Sequence, residues 1–404
     1  MIAARALKYA HEKAKFIGTI DRQFDDSYNA STNGSKNGQT LRVRNPNAYT
    51  RRAGSRVMDV QDTGETTQTI TVATQDGVDM RFNSAELAQS IEQIDERYIA
   101  PAMSALVSGI DGDALAQFTK DVYNQTGTAG TVVGSSSGDI SALALAQARL
   151  NQTLAPDADR TVQLDSVTMA YIANGNKAIF NPVADVSKAL RDGYYGHLFG
   201  ADFITNERTF PVTYGADVTG TTDATGLGTA AADGSYTTVD MHTTVAVTDQ
   251  RVGETFTIAG VYSCHPETKK AYSNLQQFVI TAIGASLTTV SPTIYISGAR
   301  QNVCKSDGTA LAASDFNSQT LTFGGSASTS YRQNVMYNKN AFAFVTAELP
   351  LMDDAAKCVR MTKDGISLRV WQASDIRNDE MLVRLDILYG FKTLRPEWGC
   401  RITN

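Results

Sequence analysis

The sequence predicts an α+β protein built around one long helix, with a small all-β domain inserted into its second half. Apolar residues recur every three or four positions from Asn83 to Gln125, which is the pattern of a long amphipathic helix. Apolar and polar residues alternate along Ile366–Val370 and again along Met381–Phe391, and charged residues are sparse from Gly215 to Gln333. The chain of 404 residues, 42% of them hydrophobic, is long enough for several domains.

The long helix is the element that the sequence defines best. Asn83 and Glu86 have the spacing of a capping box, which predicts the start of the helix. Pro101 and the segment 109–112 lie inside the apolar stripe, which predicts a kink or a joint at one or both places. At the rise of an α-helix the whole run would measure roughly 60 Å, longer than an ordinary domain is wide. We therefore expect an elongated molecule that buries much of its surface against partners.

A β-hairpin is predicted ahead of the helix. Its strands are Thr40–Val43 and Thr66–Ala73, which are rich in Thr, Val and Ile. A two-stranded ribbon is marginally stable alone, so we expect it to lie on another surface. In an assembly that surface can belong to a neighbouring copy.

The charge distribution suggests what such copies would contact. Residues 1–56 contain eleven Lys or Arg and four acidic residues, a net charge of +7, and residues 57–96 contain nine acidic residues and one basic, a net charge of −8. The two blocks are either solvated faces or surfaces that dock copies by charge complementarity. Docking predicts that arginines of the hairpin meet acids at the start of the helix in a neighbouring copy. These residues are Arg42, Arg44, Arg51, Arg52 and Arg56 on one side and Glu86, Glu92, Asp95 and Glu96 on the other.

The second half of the chain mixes helices and strands. Asp139 or Ser141 can cap a helix that runs to about Leu154. Phe256, Ile258 and Tyr262 are predicted to share one face of a strand. Further strands, which predict a small barrel or sandwich and then a long antiparallel ribbon, are Gln277–Ile283, Leu287–Ser297, Ile366–Val370 and Met381–Phe391.

Signals of catalysis or metal binding are weak. Residues 134–138 match the G-x-S-x-G motif after the strand-like Thr131–Val133, with Ser136 as the nucleophile. Gly138 and Asp139 separate that serine from the following helix, so a linker is the favoured interpretation. Cys264 and Cys304 could form a zinc pair, but buried thiols are commoner. No apolar run reaches 18 residues, so no membrane span is expected.

Several short motifs occur in an order that resembles a known family. They are Leu190-Arg191-Asp192-Gly193 with Ala201-Asp202-Phe203 and Phe210-Pro211-Val212, Gly253-Glu254-Thr255-Phe256-Thr257-Ile258-Ala259-Gly260-Val261, and Leu388-Tyr389-Gly390 with Leu394-Arg395-Pro396-Glu397. With them, the chain resembles the major coat proteins of tailed phages, in the P-22 type branch of the HK-97 capsid fold. The resemblance implies an N-terminal arm at 1–34, an extended loop at 35–81, a spine helix at 82–138, an apical domain at 139–214 and 339–362, an inserted β-barrel-like domain at 215–338 and a returning β ribbon at 363–404.

The resemblance also implies a function and a set of partners. Copies would form the hexamers and pentamers of an icosahedral shell, first as a procapsid around scaffolding protein. The shell would then expand as double-stranded DNA enters through a portal protein. A decoration protein on the outside is compatible with this class. The chain would belong to the virion, would assemble in the cytoplasm of the bacterial host, and would have neither catalytic activity nor a cofactor.

Two other classes remain open at this point. One is a serine hydrolase that uses Ser136 with a downstream histidine. The other is a secreted β-rich surface protein, suggested by the Thr/Gly-rich inserted region, although residues 1–17 lack the pattern of a secretory signal.

Overall fold

The structure is a computed structural model. It describes residues 6, 8–9, 14–22, 40–51, 54, 58, 60, 66–83, 98–135, 140–175, 197–242, 245–285, 287–352, 357–363, 366–378 and 380–404. The α-helices of these residues are α1 (Ala100–Asp121), α2 (Ser141–Gln152) and α3 (Ser166–Gly175). Their strands are β1 (Thr40–Arg44), β2 (Thr67–Thr71), β3 (Thr74–Asn83), β4 (Gln125–Thr126), β5 (Arg160–Leu164), β6 (His197–Leu198), β7 (Ala201–Thr205), β8 (Pro211–Thr213), β9 (Thr219–Thr221), β10 (Ser235–Val239), β11 (Thr255–Cys264), β12 (Ala271–Ile283), β13 (Thr288–Tyr295), β14 (Val303–Cys304), β15 (Thr320–Phe323), β16 (Ser330–Asn338), β17 (Phe342–Ala347), β18 (Lys357–Lys363), β19 (Ile366–Asp375), β20 (Glu380–Thr393) and β21 (Gly399–Thr403).

The chain divides into two compact units. Unit one comprises Met1–Asn45, Thr67–Leu115 and Phe342–Leu394. Unit two comprises Pro46–Thr66, Ala116–Ala341 and Arg395–Asn404. Among the residues that the structure describes, no helix has the length and apolarity needed to cross a membrane.

Unit one contains a five-stranded antiparallel sheet with β20 at its centre. Leu388 and Tyr389 of β20 each pair both with β17 and with β3, so β17 and β3 lie on opposite sides of β20. Strand β19 also lies opposite β3, and β18 pairs with the far side of β19. The predicted antiparallel ribbon is confirmed as the pair β19 and β20, and β3 and β18 form the outer edges of the sheet.

A buried ion cluster lies in the middle of this sheet. The Asp386 carboxylate is fully buried and accepts hydrogen bonds from Arg369 Nη2 at 2.7 Å and Arg384 Nε at 2.8 Å. Gly77 is the register partner of Asp386 on β3, and a Cβ at Gly77 would lie 2.5 Å from Asp386 Oδ1. Glycine at this position therefore leaves the space that the carboxylate occupies, and the two arginines supply the partners that a buried charge requires.

The predicted apolar stripe is confirmed from Met103 to Val122, but Tyr98, which was also predicted to belong to it, is 41% exposed. The stripe residues Met103, Leu106, Val107, Ile110, Leu115, Phe118 and Val122 are all buried. Helical geometry changes from π to α next to Pro101, whereas α1 continues through 109–112, so of the two predicted places only the first has an irregularity. Asn83 is the last residue of β3, and Glu86 of the predicted capping box lies outside the described residues.

The N-terminal segment of unit one is attached to this helix by one carboxylate. Asp111 is fully buried, and its Oδ1 accepts the backbone N–H groups of Phe16 and Ile17, each at 2.9 Å. Phe16, Ile17 and Ile20 are themselves buried, and the ring of Phe16 lies 5.9 Å from that of Phe342. The arm at residues 16–20 is thus held by both packing and hydrogen bonds.

The described residues of unit two form two sheets of seven strands each. The first has the order β4-β21-β16-β5-β7-β6, with β8 also paired to β16, and α2 and α3 share its apolar core. Helix α2 was predicted with Asp139 or Ser141 as its cap. Ile140 occupies the N-cap position and Ser141 is the first residue of α2, so Ser141 is not the cap, and Asp139 lies outside the described residues.

The second sheet of unit two has the order β10-β13-β12-β11-β15-β9, with β14 also paired to β11. Its apolar residues form the hydrophobic core of the region from Gly215 to Gln333, where charged residues are sparse. The register of β11 shifts beyond Thr257, where Gly260 has φ +79°. Val261 is consequently buried and Tyr262 is only half-buried, so the prediction that Tyr262 shares the face of Phe256 and Ile258 is wrong.

Candidate assembly surface

The predicted hairpin is confirmed as the antiparallel pair β1 and β2, whose register joins Thr40 to Thr71 and Arg44 to Thr67. Side chains alternate along β1. Arg42 and Arg44 are exposed on one face, and Leu41 and Val43 are half-buried on the other. The ribbon therefore has a basic outer face and an apolar inner face.

The apolar face of the ribbon lies on the sheet of its own unit. Ile70 and Val72 are buried against Ala343, Val345, Ala347 and Leu394, with Leu41 and Val43 packed beside them. Gln68 Nε2 also donates a hydrogen bond of 2.9 Å to the carbonyl oxygen of Leu394. The surface on which the ribbon was expected to lie is thus supplied, for the strands themselves, by the same chain and not by a neighbour.

Gly390 makes this close approach possible. A Cβ at this position would lie 2.1 Å from the carbonyl oxygen of Thr71 and 3.0 Å from Cα of Val72. Any side chain would therefore push the ribbon off β20. The sequence contained Gly390 within the motif Leu388-Tyr389-Gly390, but nothing local showed that a strand more than 300 residues away crosses there.

The segment between the two strands belongs to unit two and exposes large apolar side chains. Tyr49, Met58 and Val60 are 59%, 80% and 78% exposed, and Arg51 is also exposed. Exposed apolar groups of this size mark surfaces that contact partners when they occur together. Sequence reasoning singled out only the arginines of this segment and missed these three residues.

The predicted charge pairs lie largely outside the described residues. Arg42, Arg44 and Arg51 are described and exposed. Arg52 and Arg56 lie outside, as do all four predicted acidic partners, Glu86, Glu92, Asp95 and Glu96. The pairing stays a prediction.

The proposed hydrolase motif lacks one of its required elements. Ser136 lies outside the described residues, but residues 131–135 are described and include a turn at Val133–Gly134 and no strand. The predicted strand before the serine is therefore wrong. A nucleophile elbow needs that strand to present the serine at the end of a sheet.

Cys264 and Cys304 are brought together on the paired strands β11 and β14. Both are buried free thiols, and each donates to backbone carbonyl oxygens, Cys264 to that of His265 and Cys304 to those of Tyr262 and Ser263. Burial raises the pKa of Cys304 to about 12 and also raises the pKa of Cys264. The thiolate is the form that binds metals, so this environment favours two protonated thiols. In the described part of the chain, no three His, Cys, Asp or Glu residues cluster as metal ligands.

The motif at Gly253–Val261 joins the two sheets of unit two. Arg401 of β21 is fully buried, and its Nη1 donates a hydrogen bond of 2.7 Å to the carbonyl oxygen of Gly253. Burial lowers the pKa of Arg401 to about 10.

The neighbouring Glu254 is also fully buried and accepts a hydrogen bond from the backbone N–H of Gly215. Burial raises the pKa of Glu254 to about 7, and its Oε2 has no hydrogen-bond partner among the described atoms.

Comparison with known families identifies the chain. The model of the P22 coat protein family, described as gene protein 5, matches residues 196–403, which is more than half of the sequence. The chain belongs to the P22 coat protein family. The match covers the second sheet of unit two, strand β20 and the motifs around Gly253 and Gly390. A comparison with curated proteins gives no match.

Solved phage structures resemble the chain in fold. One from Mycobacterium phage Che8 is 12% identical, covers 96% of this chain and 90% of that chain, and gives a TM-score of 0.50. The capsid of cyanophage P-SCSP1u is 12% identical and covers 91% of this chain and 83% of that chain, with a TM-score of 0.45. The mature capsid of bacteriophage PhiM1 is 11% identical and covers 91% and 82%, also with a TM-score of 0.45.

The coat protein has the HK-97 type of capsid fold, and it is the major capsid protein that forms the shell of a tailed phage. It is a structural protein of the virion. The alternatives of a serine hydrolase and of a secreted surface protein are not supported.

Proposed function

We propose that copies of this coat protein are joined into the hexamers and pentamers of an icosahedral shell by the extended ribbon. The observation that supports this proposal is that the ribbon of β1 and β2 has a basic face and an apolar face. Its apolar face is already covered by its own unit, so the face with Arg42 and Arg44, together with the exposed segment around Arg51, is what it offers to a neighbour. The acidic residues that precede α1 in the sequence, Glu86, Glu92, Asp95 and Glu96, would supply the complementary charge.

The energetics suit reversible assembly. An exposed ion pair contributes about 0 to 1 kcal/mol, so no single pair holds two copies together. The same contact repeats at every copy of a shell, and charge complementarity fixes the partner and the register more than it adds affinity. Exposed apolar residues such as Tyr49 and Met58 would add burial to the same contact.

The domain organisation is proposed in the form that the resemblance implies, with two revisions. Strands β17 and β18 share the sheet of β19 and β20, so residues 342–363 are assigned to the domain of the returning ribbon and not to the apical domain. The second revision concerns the bounds of the inserted domain. Tyr214 N–H donates to Thr329 O at 3.0 Å, and Ser328 N–H donates to Gly215 O at 2.7 Å, so the two chain crossings of the inserted domain are joined there. Strand β16 pairs with β5, β8 and β21 of the first sheet of unit two. These contacts support an inserted domain that spans 215–329, with residues 330–338 belonging to the apical domain.

The partners of assembly are proposed from the family alone. They are scaffolding protein in a procapsid, a portal protein, packaged double-stranded DNA bound without sequence specificity, and a decoration protein on the outer surface. Assembly would take place in the cytoplasm of the bacterial host, without catalysis by the chain. The net charge of −6 is suited to an inner wall that does not hold phosphate tightly, because strong binding would hinder packing.

The decisive variant reverses the charge of the ribbon at Arg51→Asp and Arg52→Asp. We expect a folded protein with the circular dichroism of the wild type and a large loss of shells in sedimentation. The matched control is Arg51→Lys with Arg52→Lys, which keeps both charges and should assemble. Normal shells from the Asp variant would refute the pairing, while the identification as a coat protein would stand.

A further inference from the structure

The outer strands of the sheet in unit one, β3 and β18, have edges that could pair with each other in neighbouring copies. Within the described residues, β3 pairs only with β20, and β18 pairs only with β19. The outer side of each strand therefore presents a row of backbone N–H and C=O groups. Such a row is a template for the strand of another chain.

The directions of the two edges are compatible. Each successive pair from β3 through β20 and β19 to β18 is antiparallel, so β3 and β18 run in opposite directions. A second copy placed beside the first in the same orientation would bring its β3 antiparallel to β18 of the first. The sheet would then continue from copy to copy with ordinary antiparallel hydrogen bonding.

The side chains of the two edges favour one register. Placing Asp79 opposite Arg360 also places Val78 opposite Met361 and Met80 opposite Val359. One charge pair and two apolar pairs are thereby formed, and such directly opposed pairs stabilise a sheet. The other registers that place Asp79 opposite a basic residue of β18 use Lys357 or Lys363 and lose both apolar pairs. Asp79 also lies 3.6 Å from Arg384 of its own chain and Arg360 lies 2.7 Å from Glu348, so neither charge would be buried unpaired.

We propose that copies of the coat protein associate edge to edge, with β3 of one pairing antiparallel with β18 of the next in the register Asp79 to Arg360. The contact is heterologous, so it repeats from copy to copy and closes where the rotation between copies allows a ring. The occupant of each edge is a second copy, because the family forms shells and the two edges of this one chain complement each other. The proposal adds a second contact surface to shell formation and is independent of the ribbon arginines.

A single substitution tests the register. In the register Asp79 to Arg360, Arg81 lies opposite the native Cys358. Arg81→Cys would therefore place two thiols opposite each other across the contact. Arg81 has a side chain that is 75% exposed, and its 3.2 Å ion pair with Glu380 is a surface pair whose loss costs little. Within one chain β3 and β18 are three strand spacings apart, roughly 14 Å, which exceeds the reach of a disulfide. A bond between these residues can therefore form only between copies.

Shells of the Arg81→Cys protein would be treated with oxidised glutathione, which accepts the two electrons and two protons released by the thiols, and run on a non-reducing gel. We expect most of the protein to run as a ladder of disulfide-linked multimers, which dithiothreitol reduces to monomers. The control with Cys358→Ser added should remain monomeric. Shells of Arg81→Cys that give monomers alone would overturn the proposal and leave the coat-protein function intact. If Arg81→Cys forms no shells, a second variant carries Met80→Cys and Val359→Cys, which are opposite each other in the same register, together with Cys358→Ser. Disulfide-linked multimers from its shells would support the proposal, and monomers alone would overturn it.

Discussion

Gly390 of strand β20 leaves the room that the carbonyl oxygen of Thr71 occupies, since a Cβ on Gly390 would lie 2.1 Å from that oxygen. The contact fixes the base of the arginine-bearing ribbon on the sheet of its own unit. It also explains in physical terms why a glycine stands at this point of a buried strand, where it is otherwise unfavourable.

Gly390→Ala is therefore expected to displace the ribbon. Backbone atoms line the space, so the strain cannot be relieved by moving a flexible side chain. We expect the free energy of unfolding to fall by about 1 to 3 kcal/mol, as for other substitutions that overfill a packed site. Urea denaturation measures this change, and trypsin cleavage at Arg51 or Arg52 should become faster. Unchanged stability and cleavage would contradict this function of Gly390.

Gly109→Ala is expected to have the opposite effect. Gly109 lies in the interior of α1, and a Cβ there would meet nothing within 4 Å. Alanine is favoured over glycine in a helix interior by about 1 kcal/mol, because glycine loses more backbone freedom on folding. We expect the free energy of unfolding to rise by about that amount. A decrease would show that this part of the helix does not have the continuous α-helical geometry described above.

Asp111→Ala is expected to release the N-terminal segment from the helix. Removing the carboxylate leaves the buried N–H groups of Phe16 and Ile17 without their acceptor, at a cost of about 1 to 3 kcal/mol. Asp111→Asn is the matched variant, because its amide oxygen can still accept, and it should lose less stability. Hydrogen exchange at the amides of Phe16 and Ile17 should accelerate in the Ala variant. Equal exchange in the Ala variant and the wild type would exclude this contact.

Glu254 is expected to make stability depend on pH. Burial raises its pKa from 4.5 to about 7 in the folded protein, so between these values the folded state binds more protons than the unfolded state. The free energy of unfolding should therefore fall as pH rises through this window, by up to about 3 kcal/mol from this group. Glu254→Gln keeps the oxygen that accepts from Gly215 but cannot ionise. The difference between the two proteins in urea denaturation should favour the Gln variant increasingly from pH 5 to 7.5, and a constant difference would contradict the shift.

The elements predicted best are those whose signal is local. The stripe from Met103 to Val122 and the alternation along β19 and β20 follow from the periods of a helix and a strand, so the sequence was sufficient to locate them. The shift at Gly260 was not predictable in this way. A bulge depends on which residues of two strands are paired, and that pairing is set by the whole sheet.

The candidate surface was only partly predictable for the same reason. The arginines of the ribbon were identified by charge, and their outward position on β1 follows from alternation. The contact of Gly390 with Thr71 and the antiparallel relation of β3 to β18 join segments that are remote in the sequence. Periodicity and spacing carry no information about such contacts, so only the topology of the sheet could reveal them.

The most direct test of the account is a map of the assembled shell by electron cryomicroscopy. We expect a guanidinium of Arg51 or Arg52 to lie within about 4 Å of a carboxylate of Glu86, Glu92, Asp95 or Glu96 in an adjacent copy. A shell in which these arginines face solvent, or contact a surface without acidic residues, would contradict it.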